Sequence, residues 1–133
     1  MRFMLLMSYG ATEACDVPMT EWAPEDIQAH IEFQIALDQE LTDSGELADS
    51  QGLAGPEEAK VVTSNGAGSP VVTDGPFPES KELLAGYRTV DVDTAARAVE
   101  IAAKMSAAPG PKGAPLQQQI EVREVMSAPA TEA

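Results

Sequence analysis

The sequence predicts an α+β domain, and three observations carry that reading. Two segments have helical apolar spacing, several shorter ones read as strands, and the strands do not alternate one for one with the helices. The chain order β, α, several β, α, β is that of a ferredoxin-like sandwich, in which two helices cover one face of a single sheet. A length of 133 residues, 44% of them apolar, suits one domain with a real core.

The elements follow in order. Arg2 to Ser8 is apolar at Phe3, Leu5 and Met7 and again at Met4 and Leu6, the pattern of a central strand covered on both sides. Thr20 to Ser44 is the first helix: Pro24 stands near its start, Glu25 and Asp26 follow where the helix dipole favours acids, and Gly45 supplies a left-handed stop. Glu46–Ala54 and Glu58–Ser64 read as strands, "SNGAGSP" as a turn, and Val71–Thr73 as a further strand. Leu83–Val92 is the clearest later strand. Asp93 or Thr94 then caps a helix to about Ala107, with Ala95, Ala98, Val99, Ile101, Ala102 and Met105 on one face. Gln118–Val125 closes the fold, and residues 127–133 are expected to form a disordered tail. Two helices cover only one sheet face, so a homodimer is expected to cover the other.

Composition excludes several classes of function. The formal charge is −14, from 22 acids against 8 bases, which repels phosphate backbones and anionic membranes. No segment approaches the ~20 apolar residues of a membrane span. The opening "MRFMLLMSYG" is read as a strand, because its apolar run is short and acids follow at Glu13 and Asp16. Cys15 is the only cysteine, so no intrachain disulfide can form, which suits a reducing, cytoplasmic setting. One His and one Cys make no zinc pattern, no loop has calcium-site spacing, and "SNGAGSP" lacks a Walker lysine. Neither a metal nor a cofactor is expected.

Two features carry candidate chemistry. In Asp74-Gly75-Pro76-Phe77 the carboxylate suits an Asx turn, glycine and proline shape a rigid corner, and Phe77 plugs it. The same Asp74 would serve as a base or anchor at a cleft, with Glu79 and Lys81, two apart and on one side of an extended chain, orienting a polar ligand. On the first helix, Ile27, Ile31 and Ile35 form one apolar stripe and Phe33, Leu37 and Leu41 another. His30, Gln34 and Asp38 form a polar ladder between the stripes at i, i+4 and i+8. Such a ladder must be paired or wet. If it lines a pocket, His30 is its proton-transfer group, and it would work with Asp74.

"DGPFPESKELLAGY" from Asp74 to Tyr87 resembles the signature of the DGPF-domain, or YCII-related, family, and the match runs on through "VDVDTAARAVEIAAKM" and "IEVREV". Upstream, "ELTDSGELADSQGL" and "MRFMLLMSYG" are of the family type, so the resemblance covers most of residues 1–126. It departs at Glu124, where the family has proline, and the family's helical histidine falls near Gln34 while His30 lies a turn earlier. The resemblance implies a ferredoxin-like chain pairing into a dimeric α/β barrel, with a small-molecule cleft near the dimer interface. The reading is a small-molecule protein with cofactor-independent acid/base chemistry: His30 and Asp74 catalytic, and Phe77, Glu79, Lys81, Gln34 and Asp38 ligand-binding. The rival readings are a non-catalytic regulatory module working with an alternative sigma factor, which the resemblance also implies, and a structural dimer with a vestigial site.

Overall fold

The computed structural model describes residues 1–8, 14–75 and 84–126. The expected tail at 127–133 and the side chains of Phe77, Glu79 and Lys81 lie outside the described residues. Among the described residues, six strands and two α-helices follow one another as β1 (Arg2–Ser8), α1 (Pro24–Asp43), β2 (Leu47–Gly52), β3 (Lys60–Thr63), β4 (Val71–Asp74), β5 (Leu84–Asp91), α2 (Ala95–Ser106) and β6 (Ile120–Glu124). Four strands form an antiparallel sheet in the order β2-β5-β1-β6, and β3 and β4 form a separate two-stranded sheet. The α+β expectation holds. The sheet order is that of a ferredoxin-like βαββαβ unit, with the β3–β4 hairpin inserted between its second and third strands.

Local chemistry sets the element ends. The first helix begins at Pro24, not Thr20, and Met19–Glu21 forms a 3-10 turn before it. Proline disfavours a helical residue ahead of it, and Ala23 is extended at φ −60°, ψ 144°. At the other end Gly45 takes φ +79°, Gly45 N–H donates to the Thr42 carbonyl at 3.0 Å, and Glu46 N–H donates to that of Leu41 at 2.9 Å. This is a Schellman stop, and the left-handed residue is the one a side chain would strain. Thr94 caps α2 by accepting from the Arg97 N–H at 3.1 Å.

Strand parity and helix spacing build one core. Phe3, Leu5 and Val90 point from the sheet toward Leu37 and Leu41 of α1 and toward Ala98, Ile101, Ala102 and Met105 of α2. Of the two α1 stripes, the Phe33 stripe is the inward one. Ile31 and Ile35 are 49% and 64% exposed, and Val99 of α2 also faces outward. β1 is central, between β5 and β6, but its second apolar set, Met4 and Leu6, is only half-buried, because both helices pack on the other face. The hairpin exposes Val62, Val71 and Val72. Its ladder continues past β4, where the Gly75 N–H donates to the Ala59 carbonyl at 2.6 Å and Gly75 adopts φ +76°.

Candidate functional site

The ladder on α1 meets an arginine from the sheet. Residues Gly86, Arg88 and Val90 of β5 share the helix-facing side by strand alternation, and all three are buried. Arg88 is therefore carried into the core at 2% exposure, beside Leu5 of β1 and Ser50 of β2. Its Nε donates to Asp38 Oδ1 at 2.7 Å, and its Nη2 donates to Gln34 Oε1 at 2.9 Å and to the Gln34 carbonyl at 3.2 Å. The other Asp38 oxygen accepts from Ser50 Oγ at 3.2 Å. A buried guanidinium needs such a partner, because breaking a buried pair leaves an uncompensated charge.

The chain of bonds continues to His30. Gln34 Nε2 lies 3.3 Å from His30 Nε2, and His30 Nδ1 lies 2.9 Å from the Pro109 carbonyl. Arg88 can only donate and a carbonyl can only accept, so every direction between them is settled. Gln34 accepts from Arg88 and donates to His30 Nε2, and Nδ1 carries the hydrogen that goes to Pro109. The Trp22 ring meets the imidazole edge-on at 5.6 Å and 81°. Trp22 is itself buried and donates from its indole nitrogen to the Val17 carbonyl at 2.9 Å. The imidazole is thus held from both nitrogens and one face. It can orient a neighbouring group, and it can pass or receive a proton only when one of these bonds opens.

The other predicted residues stand apart from this chain. Asp74 ends β4, its side chain is 84% exposed, and its carboxylate pairs with Lys60 across the hairpin. Among the described residues no hydrogen bond or ion pair joins Asp74 to His30. His30, Gln34 and Asp38 are brought together, but through Arg88. Sequence reasoning missed Arg88, and the signal for it was its parity with Val90 and Val92: an arginine at an inward position of a strand calls for an acid on the covering helix. No group of three metal-ligating side chains occurs among the described residues, and no described helix is long and apolar enough to cross a membrane.

Two further pairs shape the surroundings. On the uncovered sheet face Tyr87 donates from its hydroxyl to Asp49 Oδ2 at 2.9 Å. That bond holds the Asp49 carboxyl below its ordinary range and raises the phenol. At the α1–β2 corner Glu46 takes two bonds from Arg97 of α2, at 2.8 and 2.9 Å, and one from Ser44 at 2.8 Å. The Arg97 guanidinium and then the Ser44 hydroxyl pull the Glu46 carboxyl down to about 2.

Comparison with curated proteins finds no match. The profile of the YCII-related domain covers residues 1–126, from the first strand through the last. With its two helices on an antiparallel sheet and its Asp-Gly-Pro-Phe sequence, the chain belongs to the YCII-related domain family.

Proposed function

We propose that this protein binds a small molecule at the seam between α1 and the sheet, in a homodimer whose uncovered sheet faces close an α/β barrel. The observation that carries the ligand reading is the polar chain that runs from buried Arg88 through Gln34 to His30. A buried ion pair of this kind is often no more stabilising than apolar side chains of the same volume, so a use for it is the economical account. His30 and Gln34 are half-exposed and supply the wet end; Arg88 and Asp38 supply the fixed end. The chemistry open to such a site is orientation of a polar ligand and proton transfer through His30 without a cofactor. The hairpin residue Asp74 would join it only if the ligand or a second copy brings it near.

A thermal-shift screen with small phenols, lactones and keto acids tests the reading. A compound should raise the melting temperature of the native protein, and Gln34→Leu should remove that rise while the unliganded fold survives. A library with no effect on the native protein, or rises that Gln34→Leu leaves intact, would sink it. The regulatory reading draws on a different observation, the outward Ile31–Ile35 stripe on α1, which a protein partner such as a sigma factor would cover. A pull-down that Ile35→Glu does not weaken would count against that partner.

A further inference from the structure

Arg88 holds more hydrogen-bonding capacity than its network uses. Nε and Nη2 are turned to α1. Nη1, the arm of the planar fork remote from Asp38, is buried and has no hydrogen-bond partner among the described residues. A guanidinium has five N–H donors and no acceptor, so only an acceptor can satisfy it, and a buried donor left without one is costly.

The sheet beside Arg88 carries two glycines, with the Met7 side chain of β1 next to them. Gly52 and Gly86 pair across β2 and β5 one row beyond Ser50 and Arg88, on the same face. Gly86 is buried: a Cβ there would fall 2.8 Å from the Gln51 backbone oxygen and 3.3 Å from Met7 Cε, so Gly86 itself can carry no side chain. Gly52 is exposed, and a Cβ there would meet nothing within 4 Å, so the strip opens to solvent. α1 begins over this end of the sheet. Its C-terminal end lies at the other, where the Glu46 carbonyl accepts from Asp91 N–H at 2.7 Å. Gln34 and His30 accordingly lie over the glycine end. One residue past Gly52 and two before Gly86, Leu53 and Leu84 line a pocket of about 280 Å³ with Ala54, Pro56 and Ala59, a volume for a single ring or short chain.

Resting on the ligand-binding reading above, we infer that the site takes a small neutral molecule whose carbonyl oxygen accepts from Arg88 Nη1, while its apolar part extends over Gly52 toward Leu53 and Leu84. Neutrality follows from the charges. Asp38 already matches the guanidinium, so a ligand carboxylate would bring a second anion to a buried site with one cation, in a chain of net charge −14. A ketone, lactone or lactam oxygen satisfies the donor without that penalty.

The test is an NMR titration of the full chain with cyclohexanone, δ-valerolactam and cyclohexanecarboxylate, reading backbone amide and arginine guanidinium signals. The neutral carbonyl probes should move the Arg88 guanidinium resonances and bind at least tenfold more tightly than the carboxylate. Gly52→Val, or Gly52→Ala if valine disturbs the strand, should weaken them at least tenfold while leaving the rest of the spectrum in place. Tighter binding by the carboxylate would overturn the neutral-carbonyl assignment and leave the ligand-binding reading standing. Binding that spares Arg88 and ignores Gly52→Val would overturn the location. If no neutral probe touches Arg88 and its protons instead exchange with one long-lived water, Nη1 serves a structural water and the inference fails.

Discussion

At the scale of single residues, Arg88 and Asp38 differ from the other ion pairs in what surrounds them. Lys60–Asp74 and Lys104–Glu40 are exposed on both sides, and such pairs contribute about 0–1 kcal/mol. Arg88 is almost wholly buried while Asp38 keeps 37% of its side-chain exposure, so solvent relieves only the acid. Asp38→Ala should therefore cost about 2–4 kcal/mol in urea unfolding, because it strands a buried cation, whereas Asp74→Ala should cost about 1 kcal/mol or less. The double variant Asp38→Leu/Arg88→Met should be more stable than either single change, since apolar replacements remove both charges together. Additive losses in that cycle would show that the pair is not coupled. The ladder residues themselves were legible in the sequence, because i, i+4 and i+8 spacing needs no tertiary knowledge. Their partners were not. Arg88 lies fifty positions from Asp38, and Pro109, which orients His30, lies seventy-nine from it; only the sheet register and the loop after α2 bring them in.

Among the elements, those with strong local signals were read almost to the residue. Arg2–Ser8 was expected as a strand and is one, and of the two candidate caps of the second helix, Asp93 and Thr94, it is Thr94 that caps it. The first helix starts four residues late, because Pro24 constrains the residue before it more than the amphipathic pattern suggests. Which stripe of α1 faces inward was left open by its periodicity, since both are apolar; the sheet decides it. Between elements, the Glu46–Arg97 contact ties α2 to the α1–β2 corner. The folded Glu46 carboxyl sits near 2, below its ordinary value of 4.5. A depressed carboxyl contributes stability that is complete above the ordinary value and is lost as pH falls toward the folded one. Unfolding midpoints followed from pH 6 to pH 2.5 should thus fall more steeply for the native protein than for Glu46→Gln, with the difference developing below about pH 4.5. Parallel curves would show that the pair does not bear on folding.

For the whole molecule, Met4 and Leu6 lie half-buried on the uncovered face, flanked by Tyr87 and Thr89, and the homodimer proposed above would close over them. Light scattering should report twice the 14.0 kDa chain mass, and Leu6→Glu should return it to one chain without unfolding it. A monomeric native protein, or a dimer indifferent to Leu6→Glu, would place the interface elsewhere. The fold class was legible because it depends on the order of elements; the hairpin's separation from the main sheet was not, because Val61, Val62, Val71 and Val72 read like any other strand residues. That separation makes the insert modular. β2 and β5 already lie side by side at their near ends, with Gly52 facing Gly86 and Leu53 N–H donating to the Ala85 carbonyl at 2.9 Å. Residues 54–83 are thus a digression between two positions that a tight Asn-Gly turn would also connect. A shortened chain built that way should keep the sheet, both helices and the Arg88–Asp38 pair. It should lose the pocket beside Leu53 and Leu84, so a single deletion would separate the sheet-and-helix scaffold from that pocket.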